Sequence, residues 1–288
     1  MKPVAFSYHR ATTIENSLAM LASLGEDAKI IAGGQSLGPM LNYRIARPTN
    51  LVEVRRIAAL QDVRRDSNGI AIGAAVSHSI IEDWKGSFRI ERFLSKVAGG
   101  IAYRAIRNRG TIGGSLAHAD PSADWPVVIS ALNADIEIQS AEGTRVVSAR
   151  EFFVGQMETV LAPNEMLIEV RILEGRPQTR YGYYKAVRKT GEFADSISAV
   201  CIDVDGEGAV SEAHVWLGAA LTTPCQLTEV ESLLTGRRAT EWKQDQVFDA
   251  VRSALPQPEN DHERYKSQLH CVTVLRALKQ AIEVSHDD

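Results

Sequence analysis

Two segments, Ile31-Ala32-Gly33-Gly34-Gln35-Ser36-Leu37-Gly38 and Gly110-Thr111-Ile112-Gly113-Gly114-Ser115-Leu116-Ala117, organise this chain of 288 residues. Each has a Gly-Gly step, where no Cβ holds another group away from the backbone, and each is flanked by apolar residues able to anchor it to a sheet. A run of N–H groups exposed in such a segment binds an anion such as a pyrophosphate. Taken singly, either segment is equally readable as an ordinary tight turn, because glycine punctuates loops of every kind. Taken together they read as two halves of one cradle.

Upstream, Thr12-Thr13-Ile14-Glu15 has capping-box spacing and opens a short amphipathic helix with Leu18, Leu21 and Ala22 on one face and Gly25 as its stop. Residues 29–32 predict a strand that enters the first glycine segment, and residues 50–54 another after Pro48. A second unit starts at the Asn68-Gly69 turn with a strand at 70–73. Apolar spacing over 90–106 predicts one helix despite Gly99-Gly100, running through Arg107-Asn108-Arg109 into the second segment. Residues 123–132 predict a buried helix and 135–139 a half-exposed strand.

From about Glu165 the texture changes. Four alternating runs, 166–172, 180–187, 197–204 and 209–217, predict one antiparallel sheet, followed by helices near 227–234, 241–255 and 263–282. Strands followed by helices make an α+β half, with the boundary placed near Gly175-Arg176-Pro177.

Hydrophobic residues are 44% of the chain and charged residues 24%, the composition of an ordinary globular protein long enough for two domains. Lys and Arg number 32 against 36 Asp and Glu, a net charge of −4, so nothing in the balance favours nucleic acid. Cys201, Cys225 and Cys271 form no Cys-x-x-Cys pair, which leaves no disulfide framework and no iron–sulfur or zinc site; they are expected as buried thiols. Residues 1–8 lack a signal-peptide core, and no apolar run approaches the roughly 20 residues that span a bilayer. A soluble, cytoplasmic chain is expected.

Gly-x-Gly-x-x-Gly opening a helix, Gly-x4-Gly-Lys-Ser/Thr, Gly-x-Ser-x-Gly and His-Glu-x-x-His are all missing, which removes the Rossmann, P-loop and common hydrolase readings. Beyond the second segment stand His118, Asp120, Ser122 and Asp124. Asp or Ser before an apolar helix is most often an N-cap, His118 could be a bystander, and one His with two Asp in a turn is weak as a metal set. No catalytic residue and no metal ligand is assigned.

The stretch Ala32-Gly33-Gly34-Gln35-Ser36-Leu37, with Arg44 and Pro48 before Leu51-Val52-Glu53-Val54, and the stretch 106–117 resemble the medium, flavin-binding subunits of molybdenum hydroxylases, those of carbon monoxide dehydrogenase, quinoline oxidoreductase and nicotine or caffeine dehydrogenase. The resemblance covers nearly the whole chain and includes the middle part of xanthine dehydrogenase. It implies an α+β protein. Residues 1–175 would form a vanillyl-alcohol-oxidase-type FAD-binding domain of two α/β subdomains, about 1–56 and 57–175, and residues 176–288 the C-terminal flavoprotein domain. It also implies that Ala32, Gly33, Gly34, Gln35, Ser36 and Leu37 and the segment Thr111, Gly113, Gly114 and Ser115 wrap the FAD pyrophosphate with backbone N–H groups. Ile101, Asp124, Leu167, Lys185 and Phe193 match further cofactor contacts. Read without the resemblance, Asp124 is a helix-terminal charge, Leu167 a core residue and Lys185 a solvated strand residue. Ser115 stands where many members have Asn, and Phe193 where some have Tyr.

The function implied is electron transfer without an organic-substrate site on this chain. FAD here would take electrons from 2Fe–2S clusters of a small subunit, after hydroxylation of a small molecule, carbon monoxide or a nitrogen heterocycle, at a molybdopterin cofactor in a large subunit, in a dimer of three-subunit units. The scattered cysteines fit, since each cluster needs about four ligands. Two alternatives stand beside this reading: a free-standing FAD oxidase or reductase with its own pocket, and a non-catalytic nucleotide-binding scaffold.

Overall fold

The computed structural model describes residues 2–238 and 241–282. The first unit comprises β1 (Ser7–Arg10), α1 (Ile14–Leu24), β2 (Ala28–Ile31), α2 (Leu37–Asn42) and β3 (Asn50–Glu53). Its strands form a parallel sheet in the order β1-β3-β2. Parallel neighbours need crossovers, and α1 and α2 supply them. Thr13 rather than Thr12 caps α1, its side chain accepting the Asn16 N–H at 3.1 Å, and Gly25 ends the helix at φ +69°. Arg10 and Ile31 both pair with Glu53, so the three strands finish level where the first glycine segment leaves β2.

The second unit runs β4 (Val63–Asp66), β5 (Gly69–Gly73), α3 (His78–Glu82), α4 (Arg89–Gly99), α5 (Arg104–Arg107), α6 (Ile112–His118), α7 (Asp124–Ala131), β6 (Asp135–Ser140), β7 (Gly143–Ser148), α8 (Ala149–Phe152), β8 (Phe153–Gly155), β9 (Glu158–Thr159) and β10 (Met166–Leu173). Its sheet has the order β4-β5-β10-β6-β7 and is antiparallel throughout, joined at its edges by tight hairpins, so only the first unit is α/β in the parallel-strand sense. The run 166–172, expected to open the C-terminal sheet, is instead the central strand here. Met166 to Val170 are all buried, as a strand covered on both faces requires.

The single helix expected over 90–106 is two. It breaks after Gly99, Ala102 takes φ +42°, and the Arg107 guanidinium donates to the Ile101 and Ala102 carbonyls at 2.8 Å each, replacing helical bonds. The same guanidinium forks onto Glu82 at 2.7 and 2.8 Å. Such bidentate pairing fixes geometry as well as energy.

The C-terminal domain comprises β11 (Arg180–Ala186), β12 (Ser196–Val204), β13 (Val210–Gly218), β14 (Cys225–Gln226), α9 (Thr228–Leu234), α10 (Gln244–Ser253) and α11 (Asp261–Ile282). Its four strands form an antiparallel sheet in chain order. One face carries α11, so close that a side chain at Gly182 would collide with the Ala277 carbonyl. The other face meets α7, and Ile197, Ala199 and Trp216 join the core of the first two units. Only Cys271 of the three cysteines is fully buried; Cys201 and Cys225 keep some exposure.

Candidate functional site: two glycine segments and a buried ion pair

The two glycine segments touch. A Cβ on Gly33 would stand 2.6 Å from the Arg109 carbonyl carbon and 2.8 Å from Gly110 Cα, so only glycine lets the first segment lie on the second. Gly34 follows at φ +71°, in the left-handed region, which turns the chain between β2 and α2. The Gln35 amide bonds back to the Gly33 carbonyl at 3.1 Å. Among the described residues, the N–H groups of Gly33, Gly34, Gln35 and Ser36 donate to nothing within the chain. Successive free N–H groups around a left-handed residue form an anion-binding concavity.

The second segment differs. Expected as a loop, it is the first turn of α6, which Thr111 caps by accepting the Gly114 N–H at 3.0 Å. Ile112 N–H donates to the Val76 carbonyl at 3.1 Å and Gly113 N–H to the Ala74 carbonyl at 3.0 Å. The N–H groups of residues 112–114, expected to face an anion, are therefore held inside the chain. Glycine is needed here for packing. A Cβ on Gly113 would lie 2.7 Å from the Ala74 carbonyl oxygen, and one on Gly110 2.9 Å from the His78 ring. His78 itself is buried, accepts the Trp125 indole N–H at Nδ1 (3.1 Å), and has its pKa lowered to about 4 by burial and by the nearby Arg107 charge.

Asp124 and Lys185 come together across the two domains. Asp124 opens α7 and is 5% exposed; Lys185 Nζ, from β11, lies 3.0 and 3.1 Å from its two carboxylate oxygens. Neither is a solvated surface charge. The Tyr183 hydroxyl donates to the same carboxylate. Burial pushes the Asp124 carboxyl above its ordinary range, against the pull of Lys185 and Tyr183, and burial beside Asp124 raises the Tyr183 phenol well above its own. Tyr183 was missed from sequence. The signal was present, because residues two apart on a strand share a face, and Lys185 implies Tyr183.

Ile101 is half-buried in the loop that Arg107 holds, next to Gly100, where an added Cβ would be 3.8 Å from the Tyr183 hydroxyl. Phe193 is 65% exposed on the loop before β12, and that loop reaches the same region: a Cβ on Gly191 would stand 2.9 Å from the ring of Tyr103. Leu167 is a core residue of β10 opposite Ile138. Asp120 and Ser122 are not N-caps of α7, whose cap position is Ala123; Asp120 instead accepts the Ser122 N–H at 2.9 Å in a local turn. His118 is half-buried at the end of α6, and no group of three or more His, Cys, Asp or Glu converges as for a metal among the described residues.

A parallel-sheet unit whose glycine turn offers free N–H groups, closed on one side by a second unit, makes an anion-binding turn, and a buried carboxylate–ammonium pair stands where α7 meets β11. Residues 4–172 match the family described as the FAD binding domain in molybdopterin dehydrogenase, and residues 181–281 the CO dehydrogenase flavoprotein C-terminal domain. The chain is 35% identical to 6-hydroxypseudooxynicotine dehydrogenase complex subunit alpha of Paenarthrobacter nicotinovorans, over 98% of this chain and 96% of that one. It is 33% identical to the carbon monoxide dehydrogenase medium chain of Afipia carboxidovorans, over 98% of both. Among solved structures, it superposes on reconstituted CO dehydrogenase from Oligotropha carboxidovorans with a TM-score of 0.92 at 30% identity, covering 99% of this chain and 100% of that one. Quinoline 2-oxidoreductase from Pseudomonas putida 86 gives 0.88 at 30%, covering 98% and 99%. The chain belongs to the FAD-binding medium subunits of molybdenum hydroxylases, and is a subunit of an oxidoreductase.

Proposed function

We propose that this chain is the electron-transfer subunit of a three-subunit molybdenum hydroxylase, receiving electrons from 2Fe–2S clusters of a small subunit and passing them to an external acceptor while a large molybdopterin subunit hydroxylates a small molecule. The candidates for that molecule are a nitrogen heterocycle or carbon monoxide. A dimer of such three-subunit units in the cytoplasm goes with this reading. The domain division that goes with it is 1–175, as a vanillyl-alcohol-oxidase-type domain with parts of about 1–56 and 57–175, and 176–288; residues 283–288 lie outside the described residues.

The observation that carries the reading is the run of free N–H groups from Gly33 to Ser36. These four, with Ala32 and Leu37 on either side, would hold the FAD diphosphate, and the Gly114 and Ser115 surface of α6 would close over it with Thr111 and Gly113 as its frame. Gly114 is exposed and its Cβ position lies 4.0 Å from that of Ala32, so the two segments border one space. FAD, when bound, supplies one-electron and two-electron chemistry in one cofactor. The chain's part is to bind, orient and tune it. Lys185, fixed by the Asp124 carboxylate that Tyr183 also bonds, holds a positive charge at the domain junction, while Ile101 and Phe193 offer apolar and aromatic surface. Leu167 supports the site from within the core.

The test is an absorption spectrum of the purified chain followed by release of its flavin and reduction with dithionite. The expected result is reducible, non-covalent FAD near one per chain, with no turnover of small-molecule donors until partner subunits are added. Turnover by the isolated chain would instead identify a free-standing oxidase, and a colourless preparation, alone and with partners, would remove the flavin assignment.

A further inference from the structure

The carboxyl ends of β1, β2 and β3 border a cleft of ≈110 Å³ beside Gly33 and Gly34. Ligands of parallel sheets settle at this edge. Four arginines line it, Arg10, Arg55, Arg56 and Arg109, against one acidic residue, Glu53. The whole chain carries −4, so this positive excess is local rather than an average property of the surface. Arg55 is tethered to the Asn108 carbonyl at 2.9 Å, whereas the side chains of Arg56 and Arg109 make no hydrogen bond or ion pair among the described residues.

Glu53 adds a second, independent requirement. It is 6% exposed, yet its Oε2 accepts no hydrogen bond; Arg10 Nε faces it at 3.4 Å without forming one. A buried acceptor that takes no hydrogen bond costs about 1–3 kcal/mol, which the Arg10 ion pair offsets only in part, and is uncommon in folded proteins. An anion would satisfy the arginines but not Glu53, which needs a hydroxyl or amine donor. A sugar phosphate carries both groups at the required closeness.

We propose that this cleft binds the ribose-phosphate end of a ribonucleotide, the arginines taking the phosphate and Glu53 a ribose hydroxyl. Tyr8, half exposed at the mouth on the same face as Arg10, offers a flat surface for the base. Pockets that enclose a whole cofactor start near 300 Å³, so the cleft takes one end of its ligand. That end belongs either to the ADP half of the flavin, a case that rests on the flavin reading proposed above, or to a free nucleotide.

The probes are 5′-AMP, 2′,3′-dideoxy-AMP and adenosine, titrated calorimetrically into the full-length chain before and after flavin removal. We expect AMP to bind at least about tenfold more tightly than adenosine, by a margin that shrinks as salt rises, the scale of one charge-assisted contact. Arg56→Ala with Arg109→Ala should erase that margin. Loss of the ribose hydroxyls should weaken AMP several-fold in the native chain and much less in Glu53→Gln. Binding to the flavin-loaded chain, with flavin content unchanged in the arginine variant, assigns a free nucleotide. Binding only after flavin removal, with FAD but not FMN affinity lost in the variant, assigns the flavin's own ADP half. The proposal is overturned if AMP binds no better than adenosine to either form; that comparison needs no variant to fold. A chain without flavin would remove the flavin assignment and leave the AMP titration to decide this one.

Discussion

The same dipeptide, Gly-Gly, does two different physical jobs in the two halves of the cradle. In the first segment Gly33 permits backbone contact with the second, while Gly34 turns the chain at positive φ and leaves four successive N–H groups free. In the second segment the N–H groups of 112–114 are already bonded to Val76, Ala74 and Thr111, and the glycines let α6 press against the strand end at Ala74 and the ring of His78. One segment is built to be completed from outside, the other to support it. A glycine pair in sequence therefore states that backbone comes close to something, and only the hydrogen-bond inventory says whether that something is a ligand or the protein itself.

The largest effect should come from the supporting segment. Gly113→Val places methyl groups where the Ala74 backbone already stands, and neither partner is the flexible end of a side chain. The expected cost is about 3 kcal/mol or more, a fall in Tm of at least roughly 6 °C for a chain of this size. Gly33→Val should behave alike, because its obstacle is the backbone of Arg109 and Gly110. Loss of flavin in either variant reports a disturbed fold, so circular dichroism melting must accompany the flavin assay. If Gly113→Val melted as the native chain and kept its flavin, the supporting role would be wrong.

Acid should separate the segments next. His78 is held near pKa 4 against an ordinary value of 6.5, so the folded state keeps it neutral while the unfolded state takes up a proton below 6.5. Its contribution is complete above pH 6.5 and is lost as the pH falls from 6.5 to 4, in total about 3 kcal/mol. His270, hydrogen-bonded to Ser196 in the C-terminal domain and also held near 4, adds a slope of the same sign. Melting curves at pH 7, 5.5 and 4.5 should show the decline. His78→Gln should flatten it by about one proton, leaving the slope due to His270.

How much of this was legible beforehand follows from which forces act locally. The α1 helix, β2, β3 and the C-terminal helices announce themselves through periodicity and caps, and their residues are found where those patterns put them. The placement of β10 was not legible, because alternation identifies a strand but not its neighbours, and pairing with β5 is decided across more than ninety residues of chain. The break at Gly99 was also hidden. It depends on Arg107 reaching back to two carbonyls while Glu82 balances its charge, a tertiary event that apolar spacing does not encode. For the site, resemblance singled out Asp124 and Lys185 separately, and their contact with each other and with Tyr183 became visible only when α7 met β11.

The smallest effect is the one that tests the comparison most directly. Gly34→Ala adds a Cβ with no neighbour nearer than 3.5 Å, so its cost is the left-handed φ alone, about 1 kcal/mol and a shift in Tm of roughly 2–4 °C. The four N–H groups depend on that turn for their common direction, so flavin affinity should fall while the fold persists. Hydrogen exchange supplies the direct readout. In flavin-free protein the amides of residues 33–36 should exchange rapidly and those of 112–114 slowly, since only the latter are bonded within the chain. Added FAD should slow the first group strongly in the native chain, less in Gly34→Ala, and should leave the second group nearly unchanged. Equal protection of both groups before FAD is added would mean that the first segment is as self-contained as the second, and the division of labour between them would not hold.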